Sequence, residues 1–233
     1  MRKKLAVMGI IVLIVIFLLF GTYKLMNSRT IQLFGGLTYQ VSTKQKVVAL
    51  TFDDGPTKNV EDILPLLKAY NAKATFFLIG QEIEKNLAEA KRIAAAGHQI
   101  GNHSYSHQRM VFKSPSFIQE EIEKTDQLIR QAGFQGEIDF RPPNGKKLVG
   151  LPYYLHKHDR DTITWSIEPD SYYSSSTDKI HDVDKKVKPG SIILIHPMYD
   201  KSGEEQKTIK GILQTLSNKG YKFVTVNELQ EMN

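Results

Sequence analysis

The sequence predicts an α/β protein whose parallel strands form an incomplete barrel of about seven strands, preceded by one transmembrane helix. From residue 47 onward, apolar segments rich in β-branched and aromatic residues alternate with segments of helical periodicity. Open doubly wound sheets share this alternation. However, polar motifs repeatedly follow the ends of the predicted strands, where barrel enzymes build their active sites. The third observation is a long apolar run at the N-terminus.

Residues 1–23 predict a membrane anchor. A basic cluster at residues 2–4 precedes an apolar run over residues 5–20, which approaches the roughly 20 residues that cross a bilayer. The basic cluster places the N-terminus in the cytoplasm and the remainder of the chain outside the cell membrane, as a single-pass protein. No small-x-small cleavage signal follows, which favours a retained anchor over a signal peptide. Secretion after cleavage is the alternative.

The net charge of +6 does not indicate a nucleic-acid partner. Five of the 31 basic residues and none of the 25 acidic residues lie within residues 1–30, so the rest of the chain is nearly neutral. The chain contains no cysteine, which excludes disulfides, thiolate metal ligands and a cysteine nucleophile.

A linker and a leading strand or hairpin are expected within residues 24–44, before a single domain at residues 45–233. The predicted strands are Val47–Phe52, Ala74–Ile79, Gln99–Gly101, Ile138–Arg141, Thr162–Ser166, Ser191–Ile195 and Lys222–Val226. The predicted helices are Val60–Tyr70, Glu82–Ala96, Ser114–Ala132, Leu148–His158, Asp178–Val187 and Glu204–Leu216, with a last turn at Asn227–Met232. Pro115 suits the first position of its helix, and Gly97 suits the end of the preceding one.

Two motifs in this framework indicate metal chemistry. Asp53 and Asp54 end one predicted strand, while His103 and His107 follow another at a spacing that one helical turn would bring to the same face. Taken alone, Asp-Asp-Gly is typical of a turn, and each histidine is typical of an ordinary surface or core residue. Together, two imidazoles and one carboxylate can hold a divalent metal and leave a second carboxylate beside it. Zinc fits this ligand set, and cobalt or nickel would also suit it.

Five motifs, in this order, resemble the polysaccharide deacetylases, the NodB homology domain of carbohydrate esterase family 4. They are Thr51–Pro56, His103–His107, Arg141–Gly145, Trp165–Tyr172 and Leu194–His196, and the resemblance extends over about residues 45–230. It implies a distorted (β/α) barrel and removal of N-acetyl groups from chitin-like sugars, including the glycan strands of peptidoglycan, with a zinc-type divalent metal.

The resemblance also assigns the metal half of the site. Asp54, His103 and His107 would be the metal ligands, and Asp53 would be the general base that takes a proton from the attacking water. Arg141 would hold and orient Asp53 through charge-assisted hydrogen bonds.

The remaining matched residues would transfer a proton or contact the substrate. His196 would be the general acid that protonates the departing amine. The backbone N–H of Asn144 would stabilise the oxyanion. Leu194 would line the pocket for the acetyl methyl group, and Pro143 and Tyr172 would belong to the substrate groove.

Two departures from the family pattern concern the groove and the acid. Asn144 stands where the family usually has tyrosine. In an ungapped comparison of the fourth motif, Ser171 replaces the aspartate that pairs with the catalytic histidine, and Tyr172 replaces a tryptophan. A neutral serine cannot raise the pKa of His196 as a carboxylate would, so either Asp170 takes that role or the acid is poorly tuned.

The sequence therefore predicts a membrane-anchored, metal-dependent N-deacetylase. The expected substrate is N-acetylglucosamine in peptidoglycan or in a chitin-like oligosaccharide, and the sequence does not distinguish it from N-acetylmuramic acid in peptidoglycan. A catalytically weak or silent glycan-binding member of the family is the alternative, and a cytosolic amidohydrolase is a third hypothesis. We expect a monomer, although nothing in the sequence fixes the oligomeric state.

Overall fold

The computed structural model describes residues 2–232, which form an α/β fold with seven strands and nine α-helices. The strands are β1 (Leu37–Thr38), β2 (Val47–Asp53), β3 (Ala74–Leu78), β4 (Gln99–Asn102), β5 (Thr162–Ile163), β6 (Ile192–Ile195) and β7 (Lys222–Phe223). The helices are α1 (Arg2–Met26), α2 (Val60–Ala69), α3 (Gly80–Lys85), α4 (Leu87–Ala95), α5 (Pro115–Gln131), α6 (Gly150–Lys157), α7 (Ser176–Lys186), α8 (Glu204–Asn218) and α9 (Val226–Gln230).

The sheet is parallel and centred on β2. Its main path runs β4–β3–β2–β6, β7 also pairs with β2, and β1 pairs with β5 in a separate two-stranded ladder. Every residue of β2 and β3 is buried, because helices pack on both faces of the sheet. The prediction of an α/β fold with parallel strands is confirmed.

A closed barrel is not formed by the ladders of the described residues. Beyond β4 and β6 the sheet continues only through single bridges: Asn102–Phe140, Phe140–Thr162 and Ile167–Ile193. The strand predicted at residues 138–141 shrinks to the bridge at Phe140. Pro142 and Pro143, which follow, have no N–H group with which to extend a ladder.

Two other predicted boundaries are wrong for local reasons. The helix predicted at residues 82–96 is broken at Asn86, whose backbone leaves the helical region between α3 and α4. The last strand ends at Phe223 because Thr225 starts α9 with a capping box that it forms with Glu228. The start of α5 is as predicted, since the Ser114 hydroxyl caps the helix by accepting from the N–H of Phe117 at 3.2 Å.

Helix α1 is long and apolar enough to cross a bilayer. The most apolar 18-residue stretch within Lys3–Met26 has a mean hydropathy of 3.0, and none of that stretch is buried. Signal sequences have the same features. The chain that follows α1 lies against the domain, where the Lys147 N–H donates to the Met26 carbonyl at 3.3 Å. The Lys147 ammonium also donates to the carbonyl of Ser28.

The strand register brings the polar motifs together. Phe52 on β2 is paired with Phe76 on β3 and with Ile195 on β6. Asp53, the last residue of β2, and His196, the first residue after β6, therefore lie at the same edge of the sheet on neighbouring strands. The carboxyl ends of parallel strands meet there, which is where a site assembled from several strands is expected.

Candidate active site

Asp53 is held by a buried arginine. Its Oδ1 accepts from Arg141 Nη1 at 2.6 Å, and both side chains are almost completely buried. Arg141 also donates to the Thr51 hydroxyl at 2.8 Å and lies over the ring of Phe77, with its Cζ 4.0 Å from the ring centre. Because this arginine is fixed from several sides, the orientation of the Asp53 carboxylate is fixed as well.

Asp54, His103 and His107 form a cluster suited to a divalent cation. Their potential ligand atoms lie within 4.8 Å of one another. Asp54 Oδ1 is 3.4 Å from His107 Nε2 and 3.8 Å from His103 Nε2. This oxygen is buried without a hydrogen-bond partner among the described residues, a costly state that a bound cation would relieve. Two imidazoles and a carboxylate fit zinc and similar metals.

The two histidines meet through a tight turn, so the prediction of a helical turn is wrong. Ser104 and His107 both adopt left-handed backbone conformations, with φ of 63° and 57°. The turn is fixed when the Ser104 N–H donates to the Asn102 side chain at 2.8 Å and the His107 N–H donates to the Ser104 hydroxyl at 3.1 Å. The imidazole ring centres of His103 and His107 lie 4.9 Å apart.

His103 is prepared as a metal ligand by its surroundings. Its Nδ1 lies 2.7 Å from the Arg141 carbonyl oxygen, which can only accept, so Nδ1 carries the proton. The lone pair on Nε2 then faces both aspartates, with Asp53 Oδ2 at 3.6 Å and Asp54 Oδ1 at 3.8 Å. Burial lowers the pKa of His103 in spite of the nearby carboxylates, and a neutral ring is the form that binds a metal.

A carboxylate does reach the predicted acid, His196. Asp170 Oδ2 lies 3.0 Å from His196 Nδ1 and also accepts from the backbone N–H of His196 at 2.7 Å. Burial alone lowers the pKa of His196. The hydrogen bond to Asp170 and the charges of Asp53, Asp170 and Asp54 outweigh it and raise that pKa to about 9.

Asp170 is itself held in its ionised form. Lys179 Nζ lies 3.0 Å from Asp170 Oδ1 and pairs on its other side with Glu205. Burial opposes ionisation, but the hydrogen bonds from His196 and Lys179 prevail and lower the pKa of Asp170. Asp170 thus orients the His196 ring and favours its protonated state.

The Ser171 hydroxyl does not hydrogen-bond to His196 and donates instead to Glu168 Oε1 at 3.0 Å. Glu168 joins three side chains by hydrogen bonds, since its Oε2 also accepts from Trp165 Nε1 at 3.0 Å and from Arg29 Nη2 at 2.7 Å. The Arg29 guanidinium lies over the Trp165 ring, 4.6 Å from its centre. The segment that follows α1 therefore forms part of the site.

The site opens into a cleft of about 420 Å³. Its lining residues are Arg29, Asp53, Asp54, His103, His107, Asn144, Lys146, Trp165, Glu168, Ser171 and His196. Three residues predicted to contact substrate lie outside this lining. Leu194 is buried in the core beneath the cleft, Pro143 is buried beside it, and Tyr172 is 65% exposed.

Asn144 stands in the cleft on a sharp turn. Its backbone is left-handed, with φ of 56°, a conformation that asparagine tolerates better than most residues. The turn is closed by the N–H groups of Gly145 and Lys146, which donate to Pro142 and Pro143.

Sequence reasoning missed Arg29, Lys146 and Lys179 as parts of the site. Arg29 meets Glu168 across 139 positions of the chain. Lys179 lies in α7 and is only 4% exposed, whereas a helical lysine is ordinarily solvated. No local pattern distinguishes these residues, because their roles depend on contacts between distant segments.

Replacing Asp54 by asparagine is expected to lower the affinity for Zn²⁺ and Co²⁺ by at least about tenfold, since even partners outside the ligand shell are worth about 10–100-fold. The amide keeps the shape of the carboxylate and removes its charge. Titration of the metal-free protein with Co²⁺, followed by visible absorption, measures this loss. Asp159→Asn, at an exposed position outside the cleft, should bind as the wild type does. Equal affinities for both variants would refute the assignment of Asp54.

Arg141→Met is expected to lower the free energy of unfolding by about 3–5 kcal/mol, because it leaves the buried Asp53 carboxylate without its ion-pair partner. Urea unfolding of the detergent-solubilised protein in EDTA, followed by the fluorescence of the single tryptophan, measures the change. Arg92→Met is the control. It breaks an ion pair with Glu61 in which both side chains are about half exposed, and should lose at most about 1 kcal/mol. Similar losses in both variants would contradict this account of the buried pair.

Comparisons with known proteins place the chain in a family. A family model described as polysaccharide deacetylase matches residues 40–163. The chain is 31% identical over 199 residues to a peptidoglycan-N-acetylglucosamine deacetylase of Bacillus cereus, covering 84% of this chain and 93% of that protein. It is 36% identical over 191 residues to a bifunctional xylanase/deacetylase of Pseudobutyrivibrio xylanivorans, covering 81% of this chain but 31% of that protein.

A crystal structure of a pseudoenzyme of carbohydrate esterase family 4 from Bacillus anthracis has the same fold. It matches with a TM-score of 0.75 and 30% identity over 84% of this chain and 69% of that one. With the family model spanning more than half of the sequence, and the motif residues assembled at one edge of the sheet, the chain belongs to the polysaccharide deacetylase family, carbohydrate esterase family 4.

Proposed function

We propose that this protein is a metal-dependent hydrolase that removes N-acetyl groups from a cell-wall polysaccharide. The expected substrate is N-acetylglucosamine in peptidoglycan or in a chitin-like oligosaccharide. The observation that carries the proposal is the hydrogen bond between Asp170 and His196, 3.0 Å long. This bond supplies the proposed acid, His196, with a carboxylate despite the serine at position 171. His196 lines the same cleft as Asp54, His103 and His107.

In this proposal Asp54, His103 and His107 hold the metal. When bound there, zinc, or cobalt or nickel in its place, would polarise the acetamide carbonyl and lower the pKa of a bound water. Asp53 would accept the proton of the attacking water at Oδ2, because Oδ1 is engaged by Arg141. Arg141 thus holds Oδ1 in place, while Oδ2 stays free to accept the proton.

The second half of the reaction would use Asn144 and His196, which line the same cleft as the proposed metal ligands. The N–H of Asn144 would donate to the developing oxyanion, and His196 would donate its Nε2 proton to the departing amine. Asp170 would hold Nδ1 and compensate the charge of the imidazolium. Products would be acetate and a free amino group on the sugar.

We further propose that residues 1–23 anchor the protein in the cell membrane, with residues 24–44 as linker and residues 45–233 as the extracytoplasmic domain. The apolar character of α1 supports this arrangement. So does the similarity to the Bacillus cereus peptidoglycan-N-acetylglucosamine deacetylase. We propose a monomer without a nucleic-acid partner.

A silent glycan-binding protein is the second candidate, favoured by two specific observations. Tyr172, which takes the place of the family's groove tryptophan, lies outside the cleft lining. A neighbour of known structure at a TM-score of 0.75 is a pseudoenzyme. On this hypothesis the cleft would bind glycan without turnover, and Trp165 fluorescence would respond to the sugar while no acetate appeared.

Acetate release separates the two candidates. The full-length protein in detergent, loaded with zinc or cobalt, would be incubated with acetylated chitooligosaccharides and, separately, with muropeptide glycan. The deacetylase hypothesis predicts acetate from at least one substrate and none after EDTA treatment. Glycan binding, seen by Trp165 fluorescence, with no acetate from any metal-loaded sample would establish the alternative.

A further inference from the structure

Exposed apolar side chains after α1 are gathered on one face of the domain. Among the described residues beyond α1, the exposed large apolar side chains other than tyrosine are Ile31, Leu33, Phe34, Phe112 and Val149, with exposed fractions of 61, 52, 38, 84 and 48%. We call these five residues the apolar patch. Scattered exposed apolar residues are ordinary in soluble proteins, but a contiguous patch marks an interaction surface.

The patch is contiguous although it comes from three segments. The ring of Phe34 packs edge-on against Tyr153 on α6, with 5.5 Å between ring centres. Tyr153 lies one helical turn after Val149, and its N–H donates to the Val149 carbonyl at 3.0 Å. Val149 and Phe112 line the same small cavity of about 160 Å³. Leu33 directly precedes Phe34 in the chain, and Ile31 lies three residues before it.

The patch also adjoins the end of α1. Lys147, two residues before Val149, donates its N–H to the carbonyl of Met26, the last residue of α1, and its ammonium to Ser28. Basic side chains flank the apolar surface. The ammonium of Lys157 lies 5.1 Å from the ring centre of Tyr153, and Lys113 follows Phe112 in the chain. An apolar surface with a basic rim is the pattern of proteins that rest on anionic lipid.

We propose that the apolar patch docks the catalytic domain onto the outer surface of the bilayer that α1 spans, with Phe112 and Leu33 inserted among the lipid headgroups. The inference rests on the proposed membrane anchor. A lipid surface is favoured as the occupant because the contact between Met26 and Lys147 holds the domain directly against the end of the membrane helix. Docking would also fix the cleft near the membrane, since Arg29 and Lys146, from the same two segments, line it.

The absence of cysteine permits a direct test on the full chain. Single variants Leu33→Cys, Phe112→Cys and Val149→Cys would be labelled with an environment-sensitive fluorophore and placed in nanodiscs holding one copy each. The bilayer would be phosphatidylethanolamine and phosphatidylglycerol, either without nitroxide, with headgroup-level nitroxide lipid, or with lipid that carries a nitroxide deep in its acyl chain. Lys68→Cys, exposed at the end of α2 that precedes β3, is the control, and Leu13→Cys within α1 reports the anchor.

The proposal predicts a blue-shifted emission and quenching by nitroxide lipid for the three patch labels, and neither for the Lys68 label. Adding Leu33→Ser and Phe112→Ser should weaken the quenching of the Val149 label. Patch labels quenched no more than the Lys68 label, while the Leu13 label is quenched by lipid with a nitroxide deep in its acyl chain, would overturn docking and leave the anchor standing. An unquenched Leu13 label would overturn both.

Shielding that appears in vesicles with many copies and is lost in single-copy nanodiscs would identify a second copy of the chain as the occupant and overturn lipid docking. None of these measurements depends on acetate release, so failure of the proposed deacetylase activity would be seen separately.

Discussion

Asp53→Asn is expected to lower kcat for deacetylation by roughly 10²–10⁴-fold, the typical contribution of a general base, while the metal stays bound. The amide oxygen can still accept from Arg141, so the cluster of Asp54, His103 and His107 should keep its arrangement, although loss of the buried ion pair is expected to lower the free energy of unfolding. What it loses is the ability to take a proton. Initial rates of acetate release on the substrate identified for the wild type, with the metal content of each sample measured, give the comparison.

The metal content is the critical control for this variant. If Asp53→Asn binds zinc as tightly as the wild type and has lost its activity, Asp53 acts on the reaction and not on the metal. Wild-type kcat in the metal-loaded variant would rule out Asp53 as the base. A large fall in zinc affinity would show instead that Asp53 contributes to metal binding.

Asp170→Asn is expected to lower kcat and to move the basic limb of the pH–rate profile to lower pH. His196 must be protonated to act as an acid, so activity is lost as the pH rises through its pKa. Asp170 helps to raise the pKa of His196 to about 9, above the ordinary value near 6.5. Removing that carboxylate lowers the pKa and leaves less imidazolium at neutral pH. Loss of the ring's orientation adds to the effect, and we expect kcat to fall by about 10²-fold overall.

Ser171→Ala is the matched control, since Ser171 bonds to Glu168 and not to His196. It removes the residue that an ungapped comparison places beside the acid, and it should leave the basic limb where it is. If Ser171→Ala moves the basic limb of the pH–rate profile and Asp170→Asn does not, Asp170 is not the residue that raises the pKa of His196. Profiles of kcat and of kcat/KM are both needed, because they report the substrate complex and the free protein.

The cluster of Asp54, His103 and His107 was predictable from sequence because strand ends determine it. Asp54 follows the buried strand β2, and the alternation of strands and helices places His103 at the same edge of the sheet. The turn that joins His103 to His107 was not predictable from spacing. A separation of four residues suits a helix and a left-handed turn equally, and only the side-chain bonds of Asn102 and Ser104 decide between them.

The pairing of His196 with Asp170 could not be predicted, because it depends on contacts that no local sequence pattern encodes. Asp170 and Ser171 are neighbours in an irregular segment, so one residue of register decides which of them faces His196. The bridge at Ile167 and the ion pair with Lys179 set that register. Whether the barrel closes could not be predicted from the sequence either, because closure depends on ladder formation around the bridge at Phe140.

One divalent metal held by Asp54, His103 and His107, with Asp53 free beside it, is the centre of this account. Anomalous diffraction from zinc-loaded crystals, collected on both sides of the zinc absorption edge, tests it most directly. We expect one peak at about 2.0–2.2 Å from a ligand atom of each of the three residues, with Asp53 still bonded to Arg141. No peak at this position in zinc-loaded protein, or a peak ligated by Asp53 in place of Asp54, would contradict the account.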